Sequence, residues 1–568
     1  MKRLEIMTNL GAVALLTAAL AMAGAIPAGA DHPGAARPDV GPRLVVVLVH
    51  DQFRADYLER FRPCFGGGGF VRLIDGGARF TQCHIPYVPT TTGPGHATLA
   101  TGAAPDGHGI VGNDWFDRAE GAQVACDEDG RTQPVPQGAA RSGSPVRLRA
   151  QTVGDGLRGA TLGAGKVIGI SEKSRAAILS AGHRATAAYW LDEKTGLMQT
   201  SSYYMEQLPA WAAAANAARR PEAAAATPWT PLLAARAYRD TDAAAALDGP
   251  AFSHALRGPG APRGTEGLNA LTQSPWALAR LYEFARGAVI GERLGEDDTP
   301  DLLFLSVSVT DRVGHRFGPN SPEVLDLAAR ADRELARFLD FLDARVGGRY
   351  TVALCADHAA GDMSSRGRGW ASVSGDSAGA VTDSAFRAWV DGTVRDAFGG
   401  PGQPASAAPS FLAGLGDATL WLDPAALATA GVTPAQAAAA LSDPARAAPW
   451  LAAARTPEQL TRGGALSPVE ERLRRGYYPG RSGDVMWALR PYCYAGGADA
   501  HGEHGSPYPY DTHVPLVLYG WGVRTGVYRQ SVSTTDVAPT VAEILGIDAP
   551  AQCEGRALGE ALRLPAWR

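Results

Sequence analysis

Residues 301–358, DLLFLSVSVTDRVGHRFGPNSPEVLDLAARADRELARFLDFLDARVGGRYTVALCADH, carry the pattern that decides the fold. Two continuously apolar runs, DLLFLSVSVTD ending at Asp311 and YTVALCADH ending at His358, flank the helix-like stretch PEVLDLAARADRELARFLDFLDARV. Apolar runs without alternation predict strands covered on both faces, and a helix between two of them predicts a parallel crossover. Three further runs of the same kind lie outward from this unit: RLVVVLVHD ending at Asp51, KVIGIS ending at Ser171, and VPLVLYG starting at Val514. Together they predict an α/β fold, a doubly wound and mainly parallel central sheet. Two helix-rich, Pro-, Gly- and Asp-bounded regions, at about 205–290 and 362–490, read as insertions forming a cap over that sheet.

The strand boundaries carry the chemistry, because an open parallel sheet places its ligand sites at the carboxyl ends of its strands. Asp51, Asp311, Asp357 and His358 stand at three such ends, His315 follows Asp311 by four residues, and His513 directly precedes the last apolar run. Singly, an Asp there also serves as a helix cap and a His as a structural residue. Gathered at one sheet edge, carboxylates and imidazoles suit a dinuclear zinc-type site, and buried carboxylates would be costly without cations. Manganese, cobalt or iron would suit the same donors, and calcium is left unassigned among the surface carboxylates.

Between the first two of these runs lies a segment dense in Gly, Pro and hydroxyl residues, TTTGPGHATLATG at 90–102 followed by PDGHGIVGNDWFD at 105–117. Composition alone reads it as a turn-rich entry into a helix with Thr92 as its cap. The segment resembles the nucleophile region of the nucleotide pyrophosphatase/phosphodiesterase branch of the alkaline phosphatase superfamily. The resemblance continues through VHDQFRADYL at Asp51, SVTDRVGHRFGPNS at 308–321, ADHAAGD at 356–362 and HGSPYPYDTHVPLVLYG at 504–520. It implies that Thr92 is the nucleophile. It also implies that Asp51, Asp357, His358 and Thr92 hold one metal, and Asp311, His315 and His513 the other, with zinc expected in both.

ISEKSRAAILSAGHRATAAYWLD at 170–192 resembles the matching segment of bacterial periplasmic alkaline phosphatases of the PafA and PhoK type. That likeness gives Lys173, Arg175 and Asn113 the role of phosphate contacts, with departures at Glu172 and Ser174. Two cations aimed at nonbridging oxygens favour a monoester dianion over a diester, so small-molecule phosphate monoesters are the expected substrates. A phosphodiesterase is the nearest alternative, and a noncatalytic exported metal- or phosphate-binding protein the next. A sulfatase would need Cys or Ser where Thr92 stands. His96 and His108 are read as holding the nucleophile loop, and His501 and His504, in AHGEHGSP, are left without a ligand role.

Composition bounds the rest. With 45% hydrophobic and 20% charged residues and a net charge of −5, the chain has a globular composition with no sign of a polyanion such as nucleic acid as partner. Lys2 and Arg3, the apolar stretch LGAVALLTAALAMAGA and the small residues Ala28–Ala30 read as a signal peptide over 1–30, leaving a catalytic domain over 31–568. A periplasmic or secreted protein without a stable membrane anchor is therefore expected. The six cysteines would permit three disulfides there, while Cys355, inside an apolar strand, reads equally as a buried thiol.

Overall fold

The computed structural model describes residues 41–139, 141–218, 228–242, 252–254, 270–363, 379–399, 410–496 and 501–564. The expected signal peptide lies outside these residues. Among the described residues no helix is long and apolar enough to cross a membrane.

The strands that build the site are β1 (Leu44–His50), β2 (Ala78–His84), β3 (Pro134–Val135), β4 (Val167–Ser171), β5 (Ala187–Leu191), β6 (Met198–Ser201), β7 (Asp301–Val307) and β8 (Tyr350–Cys355). Four more, β9 (Leu412–Leu415), β10 (Thr419–Leu422), β11 (Leu451–Arg455) and β12 (Val485–Leu489), form a separate sheet. The chain then returns to the main sheet with β13 (His513–Gly520) and β14 (Gly526–Ser533). Main-sheet order is β14-β2-β13-β8-β1-β7-β4-β5-β6-β3. Its centre, β8-β1-β7-β4-β5, is parallel throughout, with Leu44 of β1 opposite both Tyr350 and Asp301. Every residue of β1, β4, β7 and β8 is buried, as strands covered on both faces must be.

The helices that matter here are α1 (Thr92–Thr101), α2 (Ser174–Ala181), α3 (Ala210–Ala218), α4 (Pro275–Gly291), α5 (Val309–Phe317) and α6 (Pro322–Val346). The crossover expected between β7 and β8 is α6, with Ser321 accepting from the Val324 N–H as its cap, Pro322 in its first turn and Gly347 at φ 69° ending it. The strand β7, however, stops at Val307. SVTDRVGH is helical, so Asp311 and His315 are one turn apart on α5 rather than at a strand end.

The outer strands depart from the parallel pattern. β13 runs antiparallel to both β8 and β2, and β6 pairs antiparallel with β5. The Ala-rich region at about 205–290 contributes α4, whose Leu278, Leu281 and Phe284 enter the main core. The described part of 362–490 builds the second sheet, with its own core around Phe386, Leu420, Leu441 and Trp487. All six cysteines are free thiols, and Cys83, Cys126, Cys355 and Cys493 are buried.

Candidate active site

At the carboxyl edge of the parallel strands, Asp51 follows β1, Asp357 and His358 follow β8, and α5 carries Asp311 and His315. The structure gathers Asp51, Asp357 and His358 into one group, and Asp311, His358 and His504 into a second. His315, Glu503 and His504 form a third that shares His504 with it; within each group the ligand atoms lie within 4.8 Å of one another. His315 Nε2 is 3.2 Å from Asp311 Oδ1 and 3.2 Å from His504 Nε2.

The histidines arrive preoriented. His315 Nδ1 donates to the Gly502 carbonyl at 2.8 Å, His358 Nδ1 to the Ala359 carbonyl at 3.0 Å, and His504 Nδ1 to the Thr90 carbonyl at 2.8 Å. A carbonyl only accepts, so each proton sits on Nδ1 and each Nε2 lone pair is left for the cluster. His358 Nε2 and Asp51 Oδ1 are buried with no hydrogen-bond partner. Buried, unpartnered lone pairs of carboxylate and imidazole type, on rings fixed from behind, fit divalent cations.

His513 is not brought to this cluster. Its Nε2 hydrogen-bonds the Thr81 carbonyl at 3.0 Å and its ring stacks on His84 at 4.6 Å. The cause is register: antiparallel β13 starts at the right sheet edge, but its first residue pairs with His84 on β2. The loop before it, with Gly505 at φ 105°, turns back over Thr90 and delivers His504 instead. The Gly-flanked HGEHG was the available sequence signal.

Thr92 is the first residue of α1 and buried; Thr91, in extended conformation, takes the cap position assigned to Thr92 on composition. Gly93 N–H donates to Asn113 Oδ1 at 2.7 Å. The Lys173 ammonium lies 3.1 Å from Thr92 Oγ1, 2.8 Å from Asp51 Oδ2 and 2.6 Å from Asp311 Oδ2, so one cation touches the hydroxyl and a carboxylate of each of the first two groups. Arg175 opens α2 and keeps its Nε buried without a partner. It neighbours Asp114 and Asp417, and Asp417 Oδ2 accepts the Asn113 N–H at 3.3 Å. His96 Nδ1 donates to the Thr92 carbonyl at 2.9 Å while Nε2 hydrogen-bonds Ser306 Oγ at 2.8 Å, tying the first turn of α1 to β7.

Glu503 and Gln52 escaped the sequence reading. Gln52, with φ 62°, donates its backbone N–H to Asp357 Oδ1 at 3.2 Å and its amide to Asp311 Oδ1 at 2.8 Å. A Cβ at Gly314 would overlap the Gln52 amide, at 1.8 Å. A left-handed Gln is uncommon, and nothing in a string of residue types announces it.

The electrostatics follow from crowding. Burial, then the neighbouring Asp357, push the Asp51 carboxyl up to about 6. For Asp311 burial acts in the same direction, but Lys173 and His315 more than reverse it and hold the group well below the usual carboxylate range. Burial by itself would lower Lys173; Asp311 and Asp51 outweigh it and keep the amine protonated.

The chain belongs to the family described as type I phosphodiesterase / nucleotide pyrophosphatase, which it matches over residues 45–390. Over about nine-tenths of its length the chain is also similar to bacterial alkaline phosphatases. It is 33% identical to alkaline phosphatase PafA of Elizabethkingia meningoseptica over 92% of this chain and 94% of that one. It is 32% identical to alkaline phosphatase PhoV of Synechococcus elongatus over 92% and 93%. The crystal structure of wild-type PafA superposes with a TM-score of 0.82 at 31% identity, covering 93% of this chain and 100% of that one.

Proposed function

We propose that the protein is a metal-dependent alkaline phosphatase that hydrolyses phosphate monoesters through a covalent phosphothreonine at Thr92. The observation that carries this reading is the position of Thr92 Oγ1, at the start of a buried helix and 3.1 Å from a lysine that also touches Asp51 and Asp311. Asp51, Thr92, Asp357 and His358 would hold one divalent cation, and Asp311, His315 and His504 the other; the oxygen and imidazole donor set suits zinc. Divalent cations held by these residues would lower the proton affinity of the Thr92 hydroxyl and stabilise charge on the leaving oxygen.

The remaining work belongs to the chain. Thr92 Oγ, its hydroxyl proton released to solvent, attacks phosphorus in line; its bond forms as the ester P–O bond breaks, and the departing alkoxide takes a proton from water to leave as the alcohol. Lys173, Arg175 and the Asn113 side-chain NH2, whose oxygen partner accepts from Gly93, take the nonbridging oxygens. Water then displaces the Thr92 oxygen, releasing inorganic phosphate. Support for these roles comes from a crystal structure of a PafA variant substituted at a Thr, an Asn, a Lys and an Arg, the same residue types in the same order as Thr92, Asn113, Lys173 and Arg175. The leader-like N-terminus supports export, and the region at 362–490 is proposed as the cap.

Acid quenching during turnover of a radiolabelled monoester traps label on the peptide carrying Thr92, and Thr92→Ala abolishes it with at least a thousandfold loss of kcat, on the order seen when a nucleophile is deleted. Lys173→Ala and Arg175→Ala lower kcat/KM for a monoester far more than for a matched diester. Equal losses on the two, or a wild-type preference for the diester, would favour the phosphodiesterase reading.

A further inference from the structure

Gln52 directly follows Asp51 at the end of β1 and takes φ 62° there. A turn that only had to bend would be met without strain by Gly or Asn, so a long side chain held in this conformation points to a use for the side chain itself. It is buried, and its two bonds go to different cation groups: the backbone N–H to Asp357 Oδ1 at 3.2 Å, the amide to Asp311 Oδ1 at 2.8 Å. Lys173 and His315 keep Asp311 ionised, so it only accepts and the amide must turn its NH2 toward it.

The oxygen that Gln52 holds is the one that meets the imidazoles. Asp311 Oδ2 is taken by the Lys173 ammonium at 2.6 Å, whereas Oδ1 lies 3.2 Å from His315 Nε2 and 3.6 Å from His504 Nε2. Helix α5 leaves room for the amide at Gly314, directly before His315. The three atoms nearest to a Cβ there all belong to the Gln52 amide. We propose that Gln52 is a positioning residue that fixes Asp311 for the second cation by reference to Asp357 of the first. Any residue at this position supplies the N–H to Asp357; only a donor of this length supplies the bond to Asp311. Loss of the amide therefore weakens the second cation and spares the first. The proposal rests on the two-cation reading above.

The test titrates zinc into the metal-free chain against a chromophoric chelator, in two backgrounds that each disable one site: Asp51→Asn, which leaves the second, and His504→Ala, which leaves the first. Gln52→Asn tolerates the left-handed conformation, and its shorter amide stops short of Asp311. It weakens the remaining zinc about 10–100-fold in the Asp51→Asn background, the cost of a lost hydrogen bond to a metal-ligating carboxylate, and leaves zinc affinity unchanged in the His504→Ala background. Gly314→Ala, inside a helix that Ala favours over Gly, displaces the amide by a separate route and repeats the pattern. In the otherwise wild-type chain both substitutions keep the metal-free Tm and lower monoester turnover at limiting zinc, and added zinc restores it. Comparable losses in the two backgrounds mark a merely structural role and overturn the proposal, as does an unchanged affinity in the Asp51→Asn background. A wild-type chain that binds fewer than two zinc ions overturns the two-cation reading itself.

Discussion

His504 and His513 lie nine residues apart in one segment, and only the first reaches Asp311 and His315. Their side chains are chemically identical; the hydrogen bond each makes decides the role. His504 spends Nδ1 on the Thr90 carbonyl and turns Nε2 to Asp311 and His315, whereas His513 spends Nε2 on the Thr81 carbonyl. His504→Ala should lower metal affinity by more than the roughly 10–100-fold that loss of a supporting partner costs, while His513→Ala retains its metal. Metal content after dialysis against a graded chelator series checks this.

Glu172 gives a second residue-scale expectation. Its Oε2 accepts the Ser308 N–H at 2.7 Å, its Oε1 has no partner, and burial raises its carboxyl from 4.5 to about 7. Between those two values the folded chain holds a proton that the unfolded chain has released. Stability from this group is therefore full below pH 4.5 and lost as pH rises through about 7. Glu172→Gln removes that loss and keeps an oxygen for Ser308. It should raise unfolding free energy at pH 8 by about 1–3 kcal/mol and have little effect at pH 4, as read by denaturant titration.

At the scale of elements, α1 has to lie flat against the turn after β8, and Gly95 makes that approach. A Cβ there would sit 2.6 Å from the Asp357 carbonyl oxygen and 2.7 Å from its Cβ. Gly95→Ala should cost about 1–3 kcal/mol of stability by overpacking, and cost more in kcat, because the same shift moves Thr92 away from Asp357. Thermal denaturation and single-turnover rates separate the two effects. The glycine was visible in TTTGPGH, but which backbone it faces was not, since Asp357 is far away along the chain. The strands were legible where burial on both faces made them continuously apolar, as in β1, β7 and β8. β2, ARFTQCH, alternates between buried and half-exposed residues and escaped notice, and β14, GVYRQSVS, is mostly polar.

For the molecule as a whole, the cluster of Asp51, Asp311 and Asp357 under a buried sheet edge is a standing electrostatic cost, partly offset by Lys173. Each cation bound at one hundred times its dissociation constant should contribute about 2.7 kcal/mol. Chelation should then lower Tm by several degrees, and Lys173→Ala should widen the gap between the metal-loaded and stripped forms. Calorimetry with and without chelator measures both.

The apolar segments ending in Asp and His were readable from the chain because they are local, whereas Thr92, Lys173 and Arg175 stood out only through the family resemblance. Residue type, spacing of four on a helix and burial on both faces leave a signature within a few positions. The approach of His504 rather than His513 to Asp311 and His315, and the left-handed Gln52 joining Asp311 to Asp357, were decided only on folding. Each depends on strand direction, register or the meeting of segments hundreds of residues apart, which no local pattern encodes.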